Sequence, residues 1–158
     1  MQIVPLPPMA ELEKLLAGLL MRQVKVAKGG PQDVPKGPVA SALFTTDEPV
    51  LQVLVRCELP LAASLGAALS VVPAMVVKEC VASSKMDESL ADNFGEVMNV
   101  LARFVSGSGR RFRLGPVSCP PGPVAADLVT LADGSDERRE LTVEVPGYAA
   151  GRLEFATL

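Results

Sequence analysis

The sequence contains no histidine. This absence excludes the Ser-His-Asp and Cys-His nucleophile systems, metal sites with imidazole ligands and histidine proton shuttles. Any catalysis must therefore use carboxylates, amides, hydroxyls or lysine, or the groups of a partner. Asparagine is also scarce, since Asn93 and Asn99 are the only two.

Basic runs and paired cysteines are missing as well. The densest basic stretch is the short "GRRFR" at residues 109–113, and the net charge of −3 argues against nucleic acid as the main partner. The three cysteines, Cys57, Cys80 and Cys119, are far apart and odd in number, so they fit neither a zinc site nor a disulfide framework. We expect buried thiols in a reducing cytoplasm and no metal site.

The chain has 158 residues, of which 49% are hydrophobic, and this predicts one globular domain over residues 1–158. Its start lacks the basic region of a secretory signal peptide, which favours a cytoplasmic protein.

Residues 59–77 carry no charge and are nearly long enough to span a bilayer. Pro60 and Pro73 bracket this stretch, so we interpret it as a buried helix, with a membrane span as the alternative.

Hydrophobic periodicity predicts an α+β fold, an antiparallel sheet with two long helices and pseudo-symmetric αββ halves. A loop separates the first helix from the strands, and the closing strands form a hairpin. The predicted helices are residues 9–27, 61–72 and 86–106; the predicted strands are 39–44, 50–57, 76–82, 124–131, 140–145 and 151–158, with 115–123 as extended, polyproline-like chain.

The second long helix carries a straight polar stripe. At about 100° per residue, Asp92, Glu96, Asn99 and Arg103 fall in one narrow sector opposite the apolar residues. Either this is the solvated face of an amphipathic helix or it is a site. Asparagine is a poor choice for the exposed middle of a helix, which favours a site.

The segment "DNFGEVMNVLA" and a proline-bearing loop two dozen residues later resemble the CheC/CheX family of chemotaxis phosphatases. That family has an acidic or serine residue, three residues, a glutamate, two residues and an asparagine. Asp92, Glu96 and Asn99 match this motif in register, and Pro121 is the favoured match for the proline. The order of elements resembles the family over nearly the whole chain, but only this helix carries a specific motif.

The resemblance implies a phosphatase of phosphorylated CheY-type receiver domains. Asn99 would position the attacking water, and Glu96 would anchor the partner by pairing with a receiver lysine. Asp92 would add a supporting contact. The Mg²⁺ would be carried by the receiver, so this protein would need no cofactor of its own. The resemblance also implies a cytoplasmic homodimer, formed through sheet edges.

Arg103 and Phe104 depart from the family pattern, which has small residues after the asparagine. Arg103 would meet phosphate or receiver carboxylates, or obstruct the close approach of the partner, or pair with the acids of its own stripe. The first helix offers Glu11 and Glu13 but no asparagine at the needed offset, so one site at most is expected, which resembles the CheX branch of the family rather than most CheC proteins. The alternatives are a non-catalytic receiver-binding or flagellar-switch adaptor on the same fold, and an unrelated α+β domain whose stripe is only surface.

Overall fold

The computed structural model describes residues 5–30, 34–107 and 109–158. Their fold is α+β, as predicted. The helices are α1 (Met9–Leu20), α2 (Leu59–Leu69), α3 (Ala74–Ser83), α4 (Glu88–Ser106) and α5 (Ala126–Asp133). The strands are β1 (Lys25–Lys28), β2 (Val39–Thr45), β3 (Gln52–Glu58), β4 (Arg113–Ser118), β5 (Arg138–Glu144) and β6 (Ala150–Thr157).

The six strands form one antiparallel sheet in the order β1-β5-β6-β3-β2-β4. Exchanging β1 with β4, β2 with β5 and β3 with β6 reverses this order onto itself. The sheet therefore has a pseudo-twofold axis between β3 and β6, and it relates α1-β1-β2-β3 to α4-β4-β5-β6. The predicted internal symmetry is confirmed, with three strands in each half instead of two.

The main core lies between one face of the sheet and helices α1 to α4. Alternating strand residues such as Phe44, Val53 and Val55 meet the buried stripes of the helices. Helix α2 is apolar on all sides, and Leu61 and Leu65 are fully buried. The predicted helix at residues 61–72 is confirmed. No helix in the described part of the chain is long and apolar enough to span a membrane.

The opposite face of the sheet is covered by α5, which packs on Leu43, Leu54 and Ala156. The prediction of a strand at residues 124–131 is therefore wrong. The apolar residues there recur at a helical spacing of four, so Leu128 and Ala132 lie on the same side of α5. The strand that pairs with β5 in the closing hairpin is β6.

The prediction of a strand at residues 76–82 is also wrong. Pro73 precedes the first residue of α3, where its missing N–H costs nothing. Val77 and Cys80 are buried while Val81 is exposed, which is the burial pattern of a helix that packs along one stripe. A short run with several β-branched residues does not distinguish the two structures by itself.

The first helix is shorter than predicted. Met21 adopts a left-handed conformation with φ of 55°, and its backbone N–H donates to the oxygen of Ala17, so the helix ends at Leu20. The rest of the predicted helix turns into β1, in which Val26 lies opposite Val143 of β5. This partner is distant along the chain, and periodicity does not report it.

The first part of the extended chain predicted at residues 115–123 belongs to the strand β4 (Arg113–Ser118), where a polyproline-like conformation was expected in part. This strand pairs with β2 at the edge of the sheet, and its register shifts between Ala42 and Phe44. Pro116 is tolerated there because an edge strand leaves alternate N–H groups unpaired. The remaining predicted strands, at residues 39–44, 50–57, 140–145 and 151–158, are confirmed within about two residues by β2, β3, β5 and β6.

Candidate functional site

Helix α4 is held rigidly on the core. It begins at Asp87, whose side-chain Oδ1 accepts a hydrogen bond from the backbone N–H of Leu90 at 2.8 Å. This contact satisfies one of the backbone donors that a helix start leaves free. The residues buried along its inner face are Leu90, Phe94, Val97, Met98, Leu101, Phe104 and Val105.

The two asparagines of the chain have different roles. Asn93 donates from Nδ2 to the backbone oxygen of Gly66 at 2.9 Å and to Oγ of Ser70 at 2.8 Å, so it fastens α4 to α2. Asn99 is exposed, and its side chain has no hydrogen-bond partner among the described residues. The structural need that explains Asn93 is therefore absent at Asn99.

The structure places the polar stripe on the solvent side of α4. Asp92, Glu96, Asn99 and Arg103 are all exposed. Within the described ranges, none of the four side chains makes a hydrogen bond or an ion pair. Their carboxylate, amide and guanidinium groups are consequently available to a partner, on a helix whose other face is held by packing.

Arg103 does not pair with the acids of its own stripe in the part of the chain that the structure describes. It lines a groove of about 470 Å³ together with Glu11, Lys14 and Leu15 of α1. Glu11 and Lys14 are not among the predicted site residues. The sequence signal that could have identified them is their spacing: Lys14 follows Glu11 by three residues, as Asn99 follows Glu96.

The proline loop lies beside the beginning of α4. The backbone N–H of Met86 donates to the oxygen of Pro120 at 2.9 Å, so the loop is tied to the segment that enters the helix. Pro120 is buried, whereas Pro121 is exposed. Burial raises the pKa of the preceding Cys119 thiol to about 11, and the negative charge of Asp92 adds to this rise. The loop and the Asp92 end of the stripe are therefore neighbours, with Pro121 facing solvent.

The cysteines do not form a reactive site. Cys57, Cys80 and Cys119 are free thiols, and burial raises the pKa of Cys57 well above its usual value. The raised pKa makes the thiols of Cys57 and Cys119 poor nucleophiles at neutral pH. In the described residues, no group of three or more acidic or cysteine side chains is arranged to hold a metal ion.

A buried ionic cluster lies on the face of the sheet covered by α5. Arg56 bonds Glu154 through Nη2 at 2.7 Å and Asp133 through Nη1 at 2.9 Å. Glu140 lies opposite Glu154 on the neighbouring strand, and Oε1 of Glu140 and Oε2 of Glu154 have no hydrogen-bond partner among the described residues. Burial raises the pKa of Glu154, while Arg56 lowers it. This cluster is separated from α4 by the sheet.

Comparison with known proteins identifies the architecture. No protein-family model and no curated protein matches the sequence. The structure of the FliM middle domain from H. pylori matches with a TM-score of 0.65 at 5% identity, over 93% of this chain and 83% of that one. The chemotaxis protein CheX from Vibrio vulnificus matches with a TM-score of 0.56 at 15% identity, over 95% and 93%. The fold is that of CheX proteins and FliM middle domains.

A third similar structure is the CheX–CheY–BeF3–Mg²⁺ complex from Borrelia burgdorferi. It matches with a TM-score of 0.55 at 10% identity, over 94% of each chain. The predicted α+β, CheX-like fold is thereby confirmed. At such low identities the likeness establishes the fold, whereas the roles of Asp92, Glu96, Asn99, Arg103 and Pro121 remain predictions.

Proposed function

We propose that this protein is a phosphatase of phosphorylated CheY-type receiver domains, with Asn99 as the residue that positions the attacking water. The observation that carries the proposal is the pair of exposed, unpartnered side chains of Glu96 and Asn99 in the described structure, one turn apart on a helix anchored by Asp87 and Asn93. The similar CheX–CheY complex is a solved example of this fold with a receiver partner.

The chemistry requires little beyond this pair. Water attacks phosphorus, the bond between phosphorus and the aspartyl oxygen breaks, and inorganic phosphate and the free carboxylate are released. An amide donates to and accepts from water, so Asn99 can hold the nucleophile in line. The receiver would contribute the Mg²⁺ that neutralises developing charge. Glu96 would pair with a cation of the receiver. Asp92 and Pro121 would contact the receiver at the N-terminal end of the stripe.

The test is the rate at which a phosphorylated receiver loses phosphate. We expect wild-type protein to accelerate the loss and Asn99→Ala to return it to the rate of the receiver alone. Glu96→Ala should weaken binding, because it removes the anchor. Gln52→Ala is a matched control, because it also removes an amide side chain. Gln52 lies two residues before Leu54 on β3, so its side chain is on the face of the sheet that α5 covers, away from α4. Equal rates for wild type and Asn99→Ala, with both folded, would contradict the proposal.

A second candidate is a non-catalytic adaptor that binds a receiver or a flagellar-switch partner. The observation in its favour is that the FliM middle domain resembles this chain with the higher TM-score, 0.65 against 0.56 for the CheX protein. Another similar structure is a FliG–FliM complex from H. pylori, so the fold also serves protein assembly there. An adaptor would bind the phosphorylated receiver without shortening the lifetime of its phosphate.

A homodimer remains part of the proposal. The edges of the sheet are β1, with Lys25 and Lys28, and β4, with Pro116. Lysine and proline on edge strands discourage pairing between sheets. Dimerisation through these edges would therefore have to accommodate those side chains, and the molar mass in solution measures whether it does.

A further inference from the structure

The groove between α1 and α4 brings together charges from both helices. Lys14 and Glu11 come from α1, Arg103 comes from α4, and Leu15 and Phe104 supply apolar lining. Its volume is about 470 Å³. The groove is open to solvent and lies at the C-terminal end of the stripe that holds Asn99, so a partner on the stripe would also reach it.

The two cations of this groove are unpaired in the described residues. Lys14 and Arg103 are exposed, and neither side chain makes a hydrogen bond or an ion pair there. Glu11 is exposed as well and has no ion pair within the described ranges. The three formal charges leave the groove with an excess of positive charge in a protein whose net charge is −3.

The pseudo-twofold axis gives these residues a defined relation to the stripe. Adding 85 to the residue number carries α1 onto α4, and the burial classes agree at eight of the ten positions from 11 to 20. Glu11 then corresponds to Glu96, Lys14 to Asn99 and Gly18 to Arg103. Helix α1 thus presents a glutamate followed three residues later by a lysine, whereas α4 presents a glutamate followed three residues later by an asparagine.

The same symmetry operation describes the surroundings of Asn99. The operation carries Lys14 to Asn99 and Arg103 to Gly18. The pair Lys14 and Arg103, which lines one groove, therefore corresponds to the pair Asn99 and Gly18. Gly18 is exposed, and a Cβ added there would meet nothing within 4 Å. Gly18, the α1 counterpart of Arg103, therefore adds no side chain, and the two cations Lys14 and Arg103 lie together in one groove.

We propose that the groove between α1 and α4 binds acidic side chains of the same protein partner whose phosphorylated receiver meets Glu96 and Asn99, with Lys14 and Arg103 as the recognising cations. This inference rests on the proposed function. A protein partner fits the charges, because carboxylates complement the exposed ammonium and guanidinium groups while Leu15 and Phe104 offer apolar contact. Arg103 would then assist docking instead of obstructing it.

The test measures association with a receiver activated by beryllofluoride, which mimics the aspartyl phosphate, at two salt concentrations. Lys14→Glu and Arg103→Glu should each lower the affinity by about three- to tenfold, mainly through a slower association rate and a weaker dependence on salt. Glu11→Gln should raise the affinity by about two- to threefold, since it removes a repulsive charge. Lys14→Ala and Arg103→Ala should fall between wild type and the reversed charges.

Lys25→Glu is the control for net charge. The next residue along β1, Val26, packs on the helix-bearing face, so Lys25 points to the opposite face of the sheet. If Lys14→Glu and Arg103→Glu change the affinity no more than this control, or if Glu11→Gln weakens binding, the groove proposal is overturned.

The outcomes also separate the groove from the proposed function. If wild-type protein does not bind the receiver at all, the proposed function fails, and the groove proposal fails with it. If the groove variants change the affinity but Asn99→Ala leaves the dephosphorylation rate unchanged, the groove proposal is supported. Only the proposed phosphatase activity is then overturned.

Discussion

Gly66 lies where α2 crosses α4, and replacing it by alanine is expected to destabilise the protein. A Cβ at this position would lie 2.6 Å from the backbone oxygen of Leu90. A backbone atom does not rotate away as a side chain does, so the helices must separate by several tenths of an ångström. The shift would also strain the hydrogen bond from Asn93 to the Gly66 oxygen.

Two opposing effects set the size of the change. Alanine in a helix is favoured over glycine by about 1 kcal/mol. Forcing extra volume into a packed contact costs about 1–3 kcal/mol, and the higher end applies where backbone must move. We therefore expect Gly66→Ala to lower the free energy of unfolding by about 1–2 kcal/mol, and to lower the melting temperature by about 2–8 °C for a chain of this size.

The measurement is denaturant unfolding together with thermal melting, and Gly95→Ala on α4 is the matched control. A Cβ at Gly95 would meet nothing within 4 Å, so only the helical preference of alanine applies there. Gly95→Ala should raise the free energy of unfolding by about 0.5–1 kcal/mol. If Gly66→Ala were as stabilising as Gly95→Ala, the close approach of α2 and α4 inferred from Gly66 would be refuted.

Two further predictions concern the support of the site and the opposite face of the sheet. Asp87→Ala should lower the free energy of unfolding by about 1 kcal/mol in denaturant titrations, because the N–H of Leu90 loses its side-chain acceptor, while Asp87→Asn should retain most of that stability. Burial raises the pKa of Glu154, so between its unfolded and folded pKa values the folded state binds more protons than the unfolded state, and stability should fall as pH rises through that range, which begins at about 4.5. Glu154→Gln should flatten this part of the stability–pH curve, and an unchanged slope would argue against a raised pKa.

The stripe on α4 could be predicted because helical geometry is local. Once residues 86–106 form a helix, the spacing of Asp92, Glu96, Asn99 and Arg103 determines that they share a face. The absence of histidine likewise limits the possible chemistry, because composition does not depend on the fold. Strands β2, β3, β5 and β6 were predictable because alternation and turn residues are also local signals.

The errors fall where a distant partner decides the local structure. Residues 25–28 form β1 because β5 pairs with them, and residues 126–133 form α5 because its apolar stripe covers the outer face of the sheet. The sequence of β4 predicts only extended chain, because its proline argues against a strand. An edge strand tolerates this proline. Pairing and burial of this kind depend on contacts between residues far apart in sequence.

By itself, the sequence determined the polar stripe, its acid and amide pair, the exclusion of histidine chemistry and the α+β class of the domain. Only the tertiary structure decided that Asn93 is a structural residue whereas Asn99 is unpartnered in the described structure, that Arg103 lies towards α1, and that Lys14 joins it in a groove. The physical reason is that a helix places its own side chains through contacts three and four residues apart, whereas the groove exists only because the sheet brings α1 and α4 together.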